Sequence, residues 1–213
     1  MAKNFFSGFI LNMKTERVTF GAKPINKIKI LKFDKQTKGF LPEEVSFVKI
    51  EPSEVGVIDT LVDKWKGAEY VKKIATASHW MSKIPMELYA ITAQKDKFSE
   101  LEHEKILGLA EMRNDIKPKY KWLYHLQINP EAINVNNADD KKYKLVGRKT
   151  IKSLKKIYKR IALYSVDSPN IEKFYQENGF IRDYSAQRHY LWSNSLIDRI
   201  KIYINNFRLK FGI

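Results

Sequence analysis

Apolar residues in the last third of the chain switch between strand-like and helix-like spacing. The run IALYSV, residues 161–166, is short and apolar, as a buried strand is. The run SPNIEKFYQENGF, residues 168–180, opens on a capping serine and a proline, and it closes on a glycine. These signals predict a helix that begins at Pro169 and stops at Gly179. The next two apolar runs, FIRDY and HYLWSN, predict a closing pair of strands.

The same spacing rules predict the preceding elements. Four runs are predicted as strands: residues 45–50, MELYAITAQ, KILGLAEMR and KWLYHLQIN. Two helices are predicted after the first strand, in SEVGVIDTLVDKW, with Ser53 as N-cap, and in AEYVKKIATASHWM. Another helix is predicted in GRKTIKSLKKIYKR, with Ile151 and Leu154 in its apolar stripe. This order predicts an α/β fold in which a mixed sheet has helices on both faces.

Charge divides the chain into three parts. The formal net charge is +15 overall, with +7 over residues 1–40, −4 over 41–140 and +12 over 141–213. Positive charge at the two ends favours an anionic ligand or partner near the last third. We expect a peripheral basic N-terminal arm at residues 1–40, with an edge strand in INKIKILKF, then a central domain at 41–192 and a basic amphipathic helix at 193–213.

Composition excludes several classes of site. The chain has no cysteine, so disulfides, thiolate metal sites and a cysteine nucleophile are excluded. The four histidines show no pair at ligand spacing, so we expect no dedicated metal site. No apolar run approaches the roughly 18 residues of a membrane-spanning helix. No small-residue cleavage site follows the opening MAKNFFSGFIL, so we expect a cytoplasmic protein without a signal peptide.

Two segments resemble the GNAT superfamily of acyl-CoA N-acyltransferases. The stronger is LYSVDSPNIEKFYQENGF, which is similar to the family's late strand, helix and FYxxxGF ending. The weaker is KYKLVGRKTIKSLKK, which is similar to its pyrophosphate loop and following helix. With the strand order, the resemblance covers about residues 45–192. It implies a central mixed, mostly antiparallel sheet flanked by helices, an acyl-CoA co-substrate, acetyl-CoA in the first instance, and an amine acceptor.

The family's loop pattern is Arg/Gln-x-x-Gly-x-Gly/Ala, and the helix stripe sets its register here. Gly147 then matches the second glycine, whereas Lys142 replaces Arg/Gln and Leu145 replaces the first glycine. Backbone N–H groups at a helix N-terminus bind phosphate oxygens, and lysines add positive charge. The alternative is that these lysines only form the solvated face of the helix. The resemblance implies these cofactor contacts: Lys142, Lys144, Leu145, Val146, Gly147, Arg148 and Lys149.

The aromatic pair in FYQENGF is the main catalytic candidate. The resemblance implies that Tyr175 acts as a general acid that protonates the departing CoA thiolate. It implies that Phe174 packs near the cofactor arm or in the core, and we include Asn170, in the same predicted helix, among the cofactor-binding candidates. The alternative is that Phe174 and Tyr175 simply bury one face of the helix.

The run KWLYHLQINP looks like the family's central strand, which splays from its neighbour. The resemblance implies that the backbone amides of Leu126, Gln127 and Ile128 bond the pantetheine arm and that one of them steadies the oxyanion. Strict alternation places Tyr124 and Trp122 on the same face as Leu126. Family members often carry pocket-facing acid/base residues at these two positions, so the resemblance implies Tyr124 and Trp122 as candidate substrate-binding residues.

Two side chains are candidate general bases. His125 is the nearest imidazole, but alternation points it away from the pocket unless a bulge re-aims it. Glu111 lies on the preceding predicted strand. Each has a structural alternative: a core histidine with satisfied nitrogens, and a strand carboxylate that faces solvent. Attack by an amine deprotonated through water, without a dedicated base, is a third possibility.

The tail SLIDRIKIYINNFRLKFGI predicts a basic amphipathic helix. Such a helix lies on an anionic membrane, docks on a partner or a second subunit, or covers its own core. Two functions are consistent with the chain. One is an acyl-CoA-dependent N-acyltransferase that acts on a primary amine, including an RNA-borne amine. The other is a non-catalytic GNAT-like module that binds nucleic acid or a protein through its basic ends.

Overall fold

The structure, a computed structural model, describes residues 21–65, 68–79, 86–114, 119–130 and 142–212. Nine strands and five α-helices lie within these ranges. The strands are β1 (Lys23–Asp34), β2 (Gly39–Ile50), β3 (Met86–Thr92), β4 (Ile106–Asn114), β5 (Lys121–Ile128), β6 (Tyr143–Lys144), β7 (Arg160–Tyr164), β8 (Ile181–Asp183) and β9 (His189–Ser193). The helices are α1 (Val55–Lys64), α2 (Glu69–Ser78), α3 (Val146–Ile157), α4 (Pro169–Glu177) and α5 (Leu196–Phe211).

The described strands form one sheet in the order β6-β1-β2-β3-β4-β5-β7-β9-β8. β5 and β7 run parallel, and the other neighbouring strands in the described ranges pair antiparallel. Parallel strands need a long crossover, and α3 lies in the connection from β5 to β7. The sheet is therefore mixed and mostly antiparallel, which confirms the fold class.

Helices cover both faces of this sheet, because successive side chains along each strand point to opposite faces and large apolar side chains lie on both. In β3, Leu88 points into a cluster with Leu61 of α1 and Ile74 of α2. Its neighbour Tyr89 points the other way, into a cluster with Leu154 of α3 and residues of α4. Burying each such large side chain contributes roughly 1.5–3 kcal/mol, so neither face is stable uncovered.

The basic arm expected at residues 1–40 supplies a strand of the sheet. β1 pairs with β2 along almost its whole length. Residues 40 and 41, at the expected boundary between the arm and the central domain, both lie within β2. Residues 1–20 lie outside the described residues.

Of the two predicted N-cap residues, one takes its predicted position and the other does not. Ser53 was predicted as the N-cap of α1, which is wrong: a 3-10 turn precedes α1, and Glu54 takes the N-cap position. Ser53 Oγ instead accepts a hydrogen bond from the Gly21 N–H at 3.3 Å. At α4, Ser168 takes the predicted N-cap position. Gly179 follows its end with φ of +75°, a conformation that glycine adopts without a Cβ clash.

β5 leaves β7 soon after the two strands meet. Their pairing covers residues 121–123 and 161–163 only, whereas β4 continues to pair with β5 as far as Ile128. Residues 124–128 therefore have no strand partner on the β7 side among the described residues. The β4–β5 register also shifts, because Glu111 pairs with His125 and Met112 pairs with Leu123. Tyr124 is the extra residue of this β-bulge.

Candidate active site

A cleft of about 510 Å³ opens where β5 separates from β7. Its walls come from β5, β6, the start of α3, helix α4, the end of β7 and one residue of α2. The predicted site residues that line it are Tyr124, His125, Leu126, Gln127, Ile128, Lys144, Leu145, Val146, Gly147, Phe174 and Tyr175. Most of the candidates therefore lie around one opening.

Other predicted residues lie away from the cleft lining. Arg148 pairs with Glu177 of α4 at 3.1 Å, so that carboxylate already offsets part of its charge. Lys149 is half-buried and Asn170 is exposed, and neither lines the cleft. Lys142 precedes the lining residues, and its carbonyl accepts a hydrogen bond from the Phe33 N–H at 2.8 Å.

The two candidate bases are direct partners. Glu111 is completely buried, and its Oε2 lies 2.6 Å from His125 Nδ1. Its other oxygen accepts a hydrogen bond from Arg113 Nε. The two residues are directly opposite each other in the β4–β5 ladder, so their side chains lie on the same side of the sheet, opposite Leu126. The solvent-facing alternative for Glu111 is wrong.

The carboxylate of Glu111 assigns the tautomer of His125. An ionised carboxylate only accepts hydrogen bonds, so Nδ1 carries the proton and donates it. A neutral imidazole then keeps its lone pair on Nε2, and no described residue hydrogen-bonds that nitrogen. His125 also lines the cleft, so the pair has the composition of an oriented general base.

Tyr70, in the first turn of α2, was not a candidate from the sequence. Its ring packs against the His125 ring with centroids 5.3 Å apart, and it lines the cleft. Nothing in the ordinary amphipathic pattern of α2 marks this tyrosine, because its role depends on where α2 meets β5. Four other residues that line the cleft were likewise not candidates from the sequence: Tyr143, Tyr164, Val166 and Ile171.

Tyr175 combines a core position with access to the cleft. Its ring packs at 5.7 Å from Phe180 and 6.3 Å from Tyr190, and the residue is 9% exposed. Burial, with a smaller contribution from Tyr70, raises the pKa of the Tyr175 phenol above its usual range. The phenol therefore stays protonated at neutral pH. Its hydroxyl makes no hydrogen bond to a described residue, although the side chain lines the cleft.

Leu145 keeps the backbone turn that the glycine pattern provides. Its φ is +71°, in the left-handed region, and it is the N-cap of α3. Holding a leucine there costs roughly 1–2 kcal/mol, a cost that glycine avoids. Its side chain is 38% exposed and forms part of the cleft wall.

The first turn of α3 presents backbone donors at the cleft. The first N–H groups of a helix have no intrahelical partner, and Val146 and Gly147 line the cleft. A Cβ added at Gly147 would lie 3.3 Å from Phe174 Cζ, which is tighter than ordinary packing. Glycine at this position therefore allows α4 to pack closely on the start of α3.

The strand β1 holds this loop in place. β6 pairs antiparallel with β1, with Tyr143 opposite Lys32 and Lys144 opposite Leu31. The Lys144 ammonium lies 3.7 Å from the centre of the Phe40 ring, which orients it by a cation–π contact. The arm that was expected to be peripheral therefore supports the candidate phosphate loop through β1 and Phe40.

Trp122 does not share the cleft, and its predicted face is wrong. Its indole stacks on His189 and Tyr164, with centroids 5.1 Å away in each case, and it lines a second cleft beside α5. The bulge explains the change, because alternation breaks at Tyr124 and Leu123 instead joins Leu126 in the cluster beneath α3. Of the two substrate-binding candidates, Tyr124 alone lines the first cleft.

The chain is similar in structure to solved proteins that include an N-acetyltransferase. AtaTR bound with AcCoA is 11% identical over 63% of this chain and 85% of that chain, with a TM-score of 0.45. The PaiA N-acetyltransferase from Thermoplasma acidophilum in complex with coenzyme A is 13% identical over 68% and 96%, with a TM-score of 0.43. AtaT complexed with acetyl-methionyl-tRNAfMet is 12% identical over 57% and 78%, with a TM-score of 0.34. No protein-family model and no curated protein matches the chain. The likeness concerns the fold and assigns no activity.

Proposed function

We propose that the protein is an acyl-CoA-dependent N-acyltransferase that transfers an acyl group, acetyl in the first instance, directly to a primary amine. The observation that carries this proposal is the convergence of Tyr175 and the Glu111-supported His125 on the opening between β5 and β7. An acid and a base at one cleft are what transfer from a thioester to an amine requires. An acyl-CoA co-substrate implies a cytoplasmic site of action.

The cofactor would enter from the side of α3 and α4. The first turn of α3 offers backbone N–H groups and a positive helix end to the diphosphate. Lys144 adds a positive charge at the same wall. The free edge of β5 at residues 126–128 offers backbone groups to the pantetheine amides, as a neighbouring strand otherwise would. These contacts leave the thioester at the opening.

Each proton and bond in the transfer has a partner. The acceptor amine attacks the thioester carbonyl carbon, so a C–N bond forms and the C–S bond breaks. The proton lost by the amine passes to Nε2 of His125, whose imidazolium is stabilised by Glu111. The Tyr175 phenol donates its proton to the departing thiolate. Solvent then restores both groups to their starting protonation states.

The acceptor would approach from the side of α1 and α2. His125 and Tyr70 stand on that side, and Tyr124 forms its rim with the Arg113 guanidinium 4.3 Å from the ring centre. The aromatic rings suit an amine, because their faces attract cations. Acceptors to test include small primary amines, amine-bearing peptides and an RNA-borne amine such as an aminoacylated tRNA.

Calorimetric titration with acetyl-CoA tests the cofactor site first. We expect saturable heat, because the first turn of α3 and the free edge of β5 form a site for diphosphate and pantetheine. Absence of heat at high micromolar acetyl-CoA would rule out the enzyme and favour the non-catalytic module.

Tyr175→Phe tests the chemistry once binding is established. We expect CoA release in the presence of an active amine to slow by about 10²-fold or more, because the general acid is lost. Acetyl-CoA affinity should stay the same, since the ring is retained. Tyr184→Phe, at an exposed tyrosine outside the cleft, is the matched control. Equal rates in the two variants would remove Tyr175 from the catalytic role.

A further inference from the structure

Helix α5 leaves most of its apolar surface uncovered. Its buried residues are Ile202, which packs against Ile181 and Leu191 of β8 and β9, and Asn206, which bonds the backbone of Arg182 and Tyr184. Eight large apolar side chains on the helix are 47–68% exposed, and all but Leu209 share one face: Leu196, Ile197, Ile200, Tyr203, Ile204, Phe207 and Phe211. These seven residues are the apolar stripe of α5.

Positive residues border the apolar stripe on both sides. At 100° per residue the stripe spans about 120° of the helix surface. Arg199 and Lys210 follow at one edge, and Lys201 and Arg208 follow at the other. The one acidic residue within α5, Asp198, lies on the opposite side and bonds Arg160 at 2.7 Å. No carboxylate of the helix therefore neutralises either border.

This charge pattern disfavours a second copy of α5 as the occupant of the stripe. Two such helices packed face to face would bring Arg and Lys against Arg and Lys at each border. A nucleic acid would satisfy the four cations, but its phosphates offer nothing to seven apolar side chains. An anionic lipid surface satisfies both, because the stripe enters the acyl boundary while Lys and Arg reach the phosphates.

We propose that α5 is an interfacial helix that attaches this protein to anionic membrane surfaces. No helix in the described part of the chain is long and apolar enough to cross a membrane, so α5 lies along the surface. The helix is already formed and fixed to the domain. Ser195 caps its start through the Asp198 N–H at 3.4 Å, and Gly212 ends it in the left-handed conformation. Binding therefore requires little new ordering of the chain.

Vesicle flotation with the full chain tests the proposal. We expect binding to vesicles of phosphatidylcholine mixed with phosphatidylglycerol, and little binding to phosphatidylcholine alone. Added salt should weaken the binding, because the charges act at an exposed surface. Failure to bind the anionic vesicles would overturn the proposal.

Substitution in the apolar stripe separates lipid insertion from charge attraction. The double variant Phe207→Gln with Phe211→Gln should lose at least tenfold in vesicle affinity, because two exposed aromatic rings no longer enter the lipid. Leu41→Gln, at an exposed leucine of β2, is the matched control and should bind like the parent. Unchanged binding by the double Phe variant would overturn the proposal, with circular dichroism confirming that helix content is retained.

Substitution at the borders tests the charges. Arg208→Gln with Lys210→Gln should weaken binding to anionic vesicles by roughly fivefold per charge. Lys152→Gln with Lys156→Gln removes the same charge from the exposed face of α3 and should change binding little. An equal loss in both variants would mean that total charge rather than α5 governs attachment, which would overturn the proposal.

Two further outcomes identify a different occupant and likewise overturn the proposal. Gel shift of RNA that depends on the border residues but not on Phe207 and Phe211, without vesicle binding, assigns the surface to RNA. A dimer in sedimentation equilibrium that the Phe variant dissociates, again without vesicle binding, assigns it to a second copy. Acetyl-CoA titration of each variant keeps this result separate from the proposed function, because these residues lie outside the first cleft.

Discussion

Two carboxylates on neighbouring strands of the sheet have opposite surroundings. Glu87 of β3 lies on the face covered by α3, where it contacts Lys49 at 3.0 Å, the Lys121 ammonium and the Tyr158 hydroxyl at 2.8 Å. Glu111 of β4 lies on the other face. It is bonded to the Arg113 guanidinium and to a histidine ring that lines the cleft.

The partners of Glu87 hold it in one protonation state. Burial opposes its charge, but hydrogen bonds from Lys121, Tyr158 and Lys49 outweigh that effect and lower the pKa of Glu87 to about 2. These groups all donate to the carboxylate, so it stays ionised and joins four elements: β2, β3, β5 and the end of α3. Its environment is that of a structural anchor.

The partner of Glu111 has a second nitrogen. His125 donates one hydrogen bond from Nδ1 to the carboxylate and keeps Nε2 for another molecule. Comparison of the two glutamates shows that burial and charge pairing alone do not distinguish a candidate catalytic carboxylate from a structural one. What distinguishes Glu111 is a titratable partner that also borders an opening.

Of the substitutions that test the difference between Glu87 and Glu111, Glu111→Gln should have the largest effect. We expect CoA release to slow by about 10²-fold, because the amide no longer stabilises the imidazolium of His125. His125→Gln should cause a similar loss, and the double variant should lose little more, since the two residues act as one unit. Acetyl-CoA affinity, measured by calorimetry, should change little.

Glu87→Gln is the matched control for that experiment, because it makes the same chemical change on the other face. Its rate should stay within about twofold of the parent under conditions where both are folded. A rate loss as large as that of Glu111→Gln would erase the distinction between the anchor and the base.

Glu87→Gln should instead lower the stability of the fold, and by more than the loss of an exposed ion pair does. We expect the free energy of unfolding at neutral pH to fall by about 2 kcal/mol, since two ammonium groups lose their counter-charge in a half-buried site. Urea unfolding measures this change. Lys27→Gln, which breaks an exposed pair with Glu44, should change the free energy of unfolding far less, because solvent screens that pair.

Acid should remove the contribution of Glu87 gradually, and this is the smallest expected effect. The pKa of Glu87 is lowered in the folded state, from 4.5 to about 2. The ionised carboxylate therefore stabilises the fold fully at pH values above its unfolded-state pKa, and this stabilisation is lost as the pH falls towards the folded-state pKa. The stability difference between the parent and Glu87→Gln should be level above pH ~5 and about halved near pH ~3. A difference that stays constant down to pH ~2 would contradict the assigned pKa.

Local pattern was enough to predict most elements. The cap and stop signals around α4 placed its start and end, and the apolar stripe at Ile151 and Leu154 located α3. The same signals brought the Gly147 loop and Tyr175 into the candidate site. Each of these predictions depends on residues within a few positions of one another, where backbone sterics and side-chain spacing act directly.

The pairing of Glu111 with His125 was beyond such reasoning. Strict alternation placed Trp122 on the face of Leu126, and one extra residue at Tyr124 moved Trp122 to the other face. His125 does lie on the face opposite Leu126, as alternation predicts, but the cleft extends to that face and His125 lines it. The prediction of Ser53 as an N-cap was wrong for a related reason: its hydroxyl accepts a hydrogen bond from Gly21, which is distant in the chain. Contacts between strands and across the sheet decided these cases.

The sequence by itself determined the order of strands and helices, the basic ends, the amphipathic tail and the residue types available for acyl transfer, because these follow from composition and short-range spacing. Tertiary structure alone decided that β5 leaves β7 after Leu123, that Leu145 adopts a left-handed conformation and that Glu111 supports His125. The physical reason is register: a bulge of one residue changes which face the side chains before it occupy relative to those after it, and the bulge is set by how β4 and β5 pair rather than by any local pattern.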